Sequence, residues 1–425
     1  MEKKKIKIGL IGLGTVGSGV FKTLQNFENI EIVKIAVRNK NKKRDIDGLD
    51  DSIITDDPYE VVNNPDIEIV AELVGGIKPA LDLIKTAIKN GKHIVTANKE
   101  LLAKHGEELF NFAEAHNKVI LYEAAIAGGI PLIMPIKTIL AGNKITKIKA
   151  ILNGTTNYIL TKMDIQGASY TDVLKEAQQL GYAEADPTGD VEGFDAAYKI
   201  TTLATIAFGK RIKIDNVYRE GITKISPDDM KAANEMGYKI KLIASAELNK
   251  EGKADVRVHP MLVPMSKTLA HINYVTNAVS LTGHPVGDVT LSGPGAGEFP
   301  TASSVVGDIL AIASEIGKTD YILPMMRCKH SENAKMINIE DTENKYYLSI
   351  TAQNSKGVIG RIGKACEENN ISLASIVQKE VVADKAARIT VITELCKEKD
   401  MQNVIKIFNK DSAITEVNSL IRVQV

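Results

Sequence analysis

Ile6-Lys7-Ile8-Gly9-Leu10-Ile11 runs directly into Gly12-Leu13-Gly14-Thr15-Val16-Gly17 near the start of the chain. The first six residues read as a short apolar strand. Val16, Val20, Leu24 and Phe27 then recur on one helix face, and Ile32–Val37 reads as the next strand. Alone, a glycine-rich turn says little. Between a strand and a helix, GxGxxG is the fingerprint of a dinucleotide site. Gly12 permits the tight turn, and Gly14 lets the backbone approach a pyrophosphate seated on the helix N-terminus. Gly17 lets helix and strand pack closely. The segment predicts a Rossmann-type domain with Gly12, Gly14, Thr15, Val16 and Gly17 at the cofactor.

Further βα units extend the pattern. Glu68–Val74 is a strand ending at Gly75-Gly76, Ala80–Asn90 a helix, and His93–Thr96 a strand. Leu101–His116 is a helix and Lys118–Tyr122 a strand. A doubly wound sheet presents ligands at the carboxyl ends of its strands. Lys99 stands just beyond such an end. A lone lysine is ordinarily a solvated charge; at the mouth of a nucleotide crevice it is a candidate for touching substrate or cofactor. An NAD site usually places a carboxylate about 20 residues past the fingerprint. Here the second strand ends Val37-Arg38-Asn39-Lys40, without one. A guanidinium suits a 2′-phosphate by charge and bidentate geometry. Arg38 therefore predicts NADP(H) in preference to NAD(H), against the plainer reading of a solvated, lysine-rich loop.

The 425 residues suggest roughly two to four domains at about 150 residues each. Lys plus Arg and Asp plus Glu each number 53, so the net charge is zero. Nothing global then draws the chain to nucleic acid or to an anionic membrane. Cys328, Cys366 and Cys396 lack CxxC spacing, which excludes a disulfide framework and a zinc site and fits a reducing cytosol. Lys3-Lys4-Lys5 before Ile8–Val20 superficially copies a signal peptide. Five glycines interrupt that run. No stretch approaches the ~20 apolar residues of a membrane helix. The expectation is a soluble cytoplasmic protein.

From about Ile145 the pattern changes. Lys144–Leu152 alternates as a half-exposed strand does, and helical stretches follow at Asn157–Met163 and Thr171–Leu180. Tyr182–Gly193 is a loop by its Pro and Gly content and is dense in carboxylates. Phe194–Phe208 reads as an apolar helix. Asp195 and Lys199, at i and i+4, share one of its faces and can pair. On an exposed helix that pair would be an ordinary salt bridge; on a helix this apolar it points to a tuned site.

Ala177-x-x-x-Gly181-Tyr182-Ala183, Asp186-Pro187 and Asp190-Val191-x-Gly193-x-Asp195-x-x-x-Lys199 resemble the signature of the homoserine dehydrogenase family. Val95-Thr96-Ala97-Asn98-Lys99, Tyr122–Pro131, Asn153-Gly154-Thr155-Thr156-Asn157-Tyr158, and Gly293–Gly297 with Pro300-Thr301-Ala302 also resemble that family, in its order. The resemblance implies interconversion of L-homoserine and L-aspartate 4-semialdehyde with NAD(P)(H). It makes Lys199 the acid/base group, with Lys99 binding substrate and sharing that role. A lysine suits this task if burial or a neighbouring cation lowers its pKa. By resemblance Glu184 meets the substrate's α-ammonium, Asp190 positions Lys199 or the substrate, and Asp195 is the neighbour of Lys199. Thr96, Lys99 and Gly297 join the cofactor site, with Glu298 beside it.

The family also binds a monovalent cation, often sodium, through backbone carbonyls. The matching segment is Glu123–Ile130, which implies Glu123, Ile126, Gly128 and Ile130 as ligands. On its own this segment is a glycine-containing turn before Pro131. Gly293–Gly297 resembles a second phosphate-cradling turn, and a helix starting there explains its glycines nearly as well.

Residues 327–344 are polar and read as a linker. Tyr347–Gln353, Val358–Glu368, Leu373–Gln378, Ala387–Thr393, Met401–Asn409 and Glu416–Val423 then follow a βαββαβ, ferredoxin-like plan. Asn354-Ser355-Lys356-Gly357-Val358 and Asn369-Asn370-Ile371-Ser372 resemble an ACT domain. That resemblance implies feedback by threonine; a dimerisation module without ligand is the alternative. The expected class is α/β. Residues 1–132 form a Rossmann domain, to which the chain returns at about 295–322. Residues 133–294 form an α+β catalytic/dimerisation domain with a mixed sheet, 323–344 the linker, and 345–425 the ACT domain. A homodimer or homotetramer is expected. The start on the Rossmann strand implies a form without an attached aspartate kinase. Two other readings are an NADP-sensing regulator and a cysteine-dependent semialdehyde dehydrogenase. The first need not keep Glu184, Asp195 and Lys199 together. The second needs a thiolate at the crevice, whereas the cysteines lie in the linker and tail.

Overall fold

The computed structural model describes residues 5–317, 328, 330, 332–383 and 386–424. They form two compact units, 1–154 with 195–217 and 275–334, and 155–194 with 218–274 and 335–425. The segment 133–294, expected as one domain, contributes to both. The helix Phe194–Phe208 carries Asp195 and Lys199 to the end of the strand Lys144–Ile151, and so belongs to the first unit.

The first unit holds a parallel sheet of β1 (Ile6–Ile11), β2 (Ile30–Ala36), β3 (Ile54–Thr55), β4 (Ile69–Glu72), β5 (His93–Thr96) and β6 (Ile120–Leu121). Their order is β3-β2-β1-β4-β5-β6, the doubly wound arrangement whose strand order reverses beside β1. The strands are apolar because helices cover both faces; Ile8, Leu10, Ile35, Ile69 and Val95 are fully buried. The helix α1 (Thr15–Leu24) leaves the fingerprint, and the helix Glu298–Glu315 lies along it. A Cβ on Gly19 would fall 2.7 Å from the Glu298 carbonyl oxygen, so this contact needs glycine. The antiparallel strands Lys144–Ile151, Thr276–His284 and Gly287–Pro294 complete the unit.

In the second unit the expected βαββαβ plan is present. Glu343–Gln353 pairs antiparallel with Ile414–Val423 on one side and Ala386–Thr393 on the other, and Leu373–Ala383 closes the edge. The helices Val358–Glu368 and Glu398–Phe408 cover one face, burying Ile362, Met401 and Val404 against Leu348 and Ile350. One feature differs from a module hung on a linker. Ile414–Val423 also pairs, in parallel, with Ala254–Pro264 through Met261 with Arg422 and Leu262 with Val423. Ala254–Pro264 in turn pairs antiparallel with Tyr238–Leu248. The ferredoxin-like strands and the central strands thus share one sheet.

Of the expected linker, residues 323–327, 329 and 331 lie outside the described residues. The rest is pinned. Arg211 exchanges backbone hydrogen bonds with Glu332 and Ala334, both 2.8 Å, in the first unit. In the second, Ala254 does so with Lys335 and Ile337, also 2.8 Å. Among the described residues no helix is long and apolar enough to cross a membrane.

Lys241, on Tyr238–Leu248, is buried, and its ammonium faces the Ile272 carbonyl at 2.6 Å and Asn273 Oδ1 at 3.0 Å. Burial lowers this amine to about 8, with Asp164 partly opposing. The native state therefore sheds a proton that the unfolded chain holds up to about pH 10.4. Stability should rise with pH between those values, by on the order of 2–3 kcal/mol. Urea unfolding at pH 7 and pH 10 should show this increment in the parent chain and not in Lys241→Met.

Candidate active site

The fingerprint takes the predicted geometry, with one difference. Gly12 sits at φ +107, and a Cβ there would fall 3.0 Å from the Leu73 carbonyl oxygen. A Cβ on Gly17 would fall 2.3 Å from the carbonyl oxygen of Gly12. Gly17 therefore admits the turn's own backbone, rather than the strand body. Gly14 caps α1 with open space beside it, no side-chain cap and no acidic residue in the first turn. Unsatisfied N–H groups and the positive end of the helix dipole thus meet where a pyrophosphate would lie. Thr15 and Val16 begin that turn. The residues fit a dinucleotide.

Arg38 lies two residues past β2, exposed and without a side-chain partner among the described residues. Two of its basic neighbours are engaged: Lys40 pairs with Asp56 at 3.1 Å, and Arg44 donates to the carbonyls of Lys42 and Asn39.

Glu72, at the end of β4, escaped the sequence reading. It is fully buried, and one of its carboxylate oxygens accepts the amides of Val74 and Gly75 at 3.0 Å. The other accepts the Thr96 hydroxyl at 2.6 Å. Thr96 in turn accepts the Asn98 amide, and Asn98 caps the helix Lys99–Ala115 through the Leu101 amide. Two strand ends and the helix that begins with Lys99 are thereby tied together.

Three of the predicted residues meet in the first unit. Lys199 Nζ donates to Asp195 Oδ2 at 2.7 Å and to the Leu152 carbonyl at 2.8 Å. Lys99 Nζ lies 2.5 Å from Asp195 Oδ1. Asn153, in a quoted motif but given no role there, donates to Asp195 Oδ2 at 3.0 Å. Burial would raise the Asp195 carboxyl, but Lys199 and Lys99 hold it well below the ordinary range. The carboxylate offsets part of the charge that the two ammonium groups would otherwise impose on each other. The Lys199 side chain is 10 % exposed and that of Lys99 44 %, so Lys99 is the more open to a ligand. Glu184 and Asp190 belong to the second unit. Glu184 is exposed on its loop, and Asp190 is half-buried in the helical turn Thr188–Val191, which interrupts the expected loop.

The Glu123 carboxylate accepts the amides of Leu132, Ile133 and Met134 at 2.5–2.8 Å. Most of its carboxylate's accepting capacity is thus taken by backbone amides. Gly128 has φ +57, and its carbonyl accepts the Ser304 hydroxyl. A Cβ on Gly128 would fall 2.5 Å from the backbone of Gly295, and one on Gly295 would fall 2.1 Å from Asn277 Nδ2. Close packing on Gly295 thus explains Gly128, and close packing on Asn277 explains Gly295. Gly297, at φ +124, caps the helix Glu298–Glu315, and Glu298 pairs with Lys22 at 2.8 Å. Cys366 and Cys396 sit in the ferredoxin-like core, where burial pushes both thiols to about 11. Neither is a nucleophile at neutral pH.

A family model described as "Homoserine dehydrogenase, NAD binding domain" matches residues 12–123, and one described as "Homoserine dehydrogenase" matches 131–310. The chain belongs to the homoserine dehydrogenase family. That family comprises NAD(P)-dependent oxidoreductases acting on homoserine. A third model, "ACT domain", matches residues 346–412. A homoserine dehydrogenase of Synechocystis sp. is 42% identical over 98% of this chain and 99% of its own. The crystal structure of a homoserine dehydrogenase from Thiobacillus denitrificans superposes with a TM-score of 0.93 at 38% identity, covering 99% of this chain and 98% of that one. A hyperthermophilic archaeal homoserine dehydrogenase solved in complex with NADPH superposes at 0.63 and 26% identity over 73% of this chain and 98% of its own.

Proposed function

We propose that this chain interconverts L-homoserine and L-aspartate 4-semialdehyde, with Lys199 moving the proton at the substrate oxygen. The observation that carries this is the buried Asp195, held by Lys199 at 2.7 Å and Lys99 at 2.5 Å. A bound nicotinamide coenzyme supplies or accepts the hydride. In the oxidation direction Lys199 takes the hydroxyl proton, and in reduction it returns it. Asp195 and the Leu152 carbonyl fix the Lys199 amine in place, so little reorganisation precedes proton transfer. Lys99, more open, orients the substrate. Glu184 meets the substrate's α-ammonium, and Asp190 assists in positioning. Reduction of NADP⁺ on addition of homoserine tests the reading; a chain that folds and binds coenzyme without this reaction would sink it.

NADP(H) is the preferred coenzyme on this reading. Arg38 is exposed two residues past β2, has no side-chain partner among the described residues, and stands where the usual carboxylate would be. A charge-assisted contact to a 2′-phosphate is worth about 1.5–3 kcal/mol. Arg38→Ser should lower kcat/KM for NADP⁺ about 10- to 100-fold and leave NAD⁺ nearly unchanged. Equal losses with both coenzymes would remove Arg38 from the 2′-phosphate site. By family resemblance Thr96, Lys99 and Gly297 border the coenzyme.

We take the carbonyls of Glu123, Ile126, Gly128 and Ile130, by family resemblance, as ligands of a monovalent cation such as sodium, because hard cations take oxygen ligands. We further read the ACT domain as a threonine-responsive module in a homodimer or homotetramer. Titration of the full chain with threonine tests that role.

A further inference from the structure

We propose that Asn153 is a positioning residue for this reaction: its side-chain amide, donated to Asp195, sets how firmly that carboxylate holds Lys199. The inference rests on the acid/base reading of Lys199. Asn153 follows the strand Lys144–Ile151 and is 5 % exposed. Its neighbour Leu152 accepts a hydrogen bond from Lys199, while Asn153 donates one to the partner of Lys199. Two consecutive residues at one strand end thus hold both members of the pair.

The chemistry of the donor matters. Asp195 Oδ2 receives Lys199 Nζ at 2.7 Å and Asn153 Nδ2 at 3.0 Å. An amide satisfies a lone pair of the buried carboxylate without bringing a charge. Each further donor draws electron density from the carboxylate and loosens its hold on the ammonium. Among the described residues, the charged groups that act on Asp195 are Lys199 on its own helix and Lys99 from the helix Lys99–Ala115; the strand end gives the Asn153 amide to Asp195 and the Leu152 carbonyl to Lys199. Without the amide, Asp195 binds the Lys199 ammonium more tightly, and the lysine surrenders its proton at higher pH. An Asp at 153 adds a second carboxylate and drives the same change further.

The test is homoserine oxidation with NADP⁺ across about pH 6 to 10, with NADPH binding measured in parallel. Asn153→Ala should lower kcat on the ascending limb about 3- to 10-fold, leave NADPH affinity within about twofold, and move that limb up by about half to one pH unit. Asn153→Asp should move it further, and Asn153→Ser, which keeps a donor, should return it towards the parent position. If Asn153→Ala does not fold, the limbs of Asn153→Ser and Asn153→Asp decide. Limbs of Ala, Asp and Ser variants coinciding with the parent's would overturn the proposal. A Lys199→Met variant that retains turnover would instead overturn the acid/base reading, so the two failures are distinguishable.

Discussion

Lys199→Met should lower kcat for homoserine oxidation by about 10²- to 10⁴-fold, the range associated with removing a general acid/base. NADPH binding should change by less than about twofold, because the fingerprint and Arg38 are separate from this side chain. Met keeps the length and apolar stem of lysine and removes only the ammonium. Asp195 keeps two partners, Lys99 at 2.5 Å and Asn153 at 3.0 Å. Its buried charge therefore stays compensated, and the variant should fold. The loss is then chemical rather than structural. Single-turnover rates with saturating substrate and coenzyme, together with NADPH fluorescence titration, separate the two. Turnover within a few-fold of the parent would remove Lys199 from the proton path.

Arg422→Leu should cost about 3–5 kcal/mol of stability in the second unit, the cost of stripping a buried charge of its partner. Arg422 is 1 % exposed. It donates through Nε and Nη2 to the two carboxylate oxygens of Glu398 at 2.9 Å, and through Nη1 to Glu220 at 2.8 Å. Burial alone would favour the neutral guanidine, but Glu220 and Glu398 hold it charged. Glu398 is 3 % exposed and also accepts the Tyr346 hydroxyl at 2.6 Å. Leucine at 422 leaves that carboxylate buried and uncompensated. Urea unfolding followed by circular dichroism reads the loss, since the chain has no Trp. The double variant Arg422→Leu with Glu398→Leu should recover a substantial part, because both charges are gone. No recovery would show that shape, not charge, sets the cost. Deleting residues 345–425 is a poor test of feedback, because it bares the edge of Ala254–Pro264 and strips Glu220 of Arg422.

Local chemistry was legible where one segment carried the whole signal. GxGxxG after an apolar strand marked the Rossmann turn, and Phe194–Phe208 was bounded as it stands in the fold. The i,i+4 spacing of Asp195 and Lys199 became a real ion pair. The succession of strand and helix patterns in the tail marked a βαββαβ module. Less was legible where partners lie far apart in sequence. Asn153 reaches Asp195 across 42 residues and Glu72 reaches Thr96 across 24. Neither spacing is a period of helix or strand. Lys99 was readable as a lysine at a strand end, but not as the second ammonium on Asp195.

The basic stretch beyond β2 shows the same limit at smaller scale. Composition identified Arg38 and its neighbours as cationic, and only the fold shows that Lys40 and Arg44 are engaged while Arg38 is open.

The opening residues by themselves determined a dinucleotide turn, because backbone freedom at Gly12 and close approach at Gly17 are local demands met by local sequence. Tertiary structure alone decided two things. It brought Lys99 and the Asn153 amide to Asp195, and it made the last strand, with Arg422, part of the sheet that carries Ala254–Pro264. Both are pairings between distant segments. Their energies come from desolvated charges and sheet edges that exist only once the chain has folded.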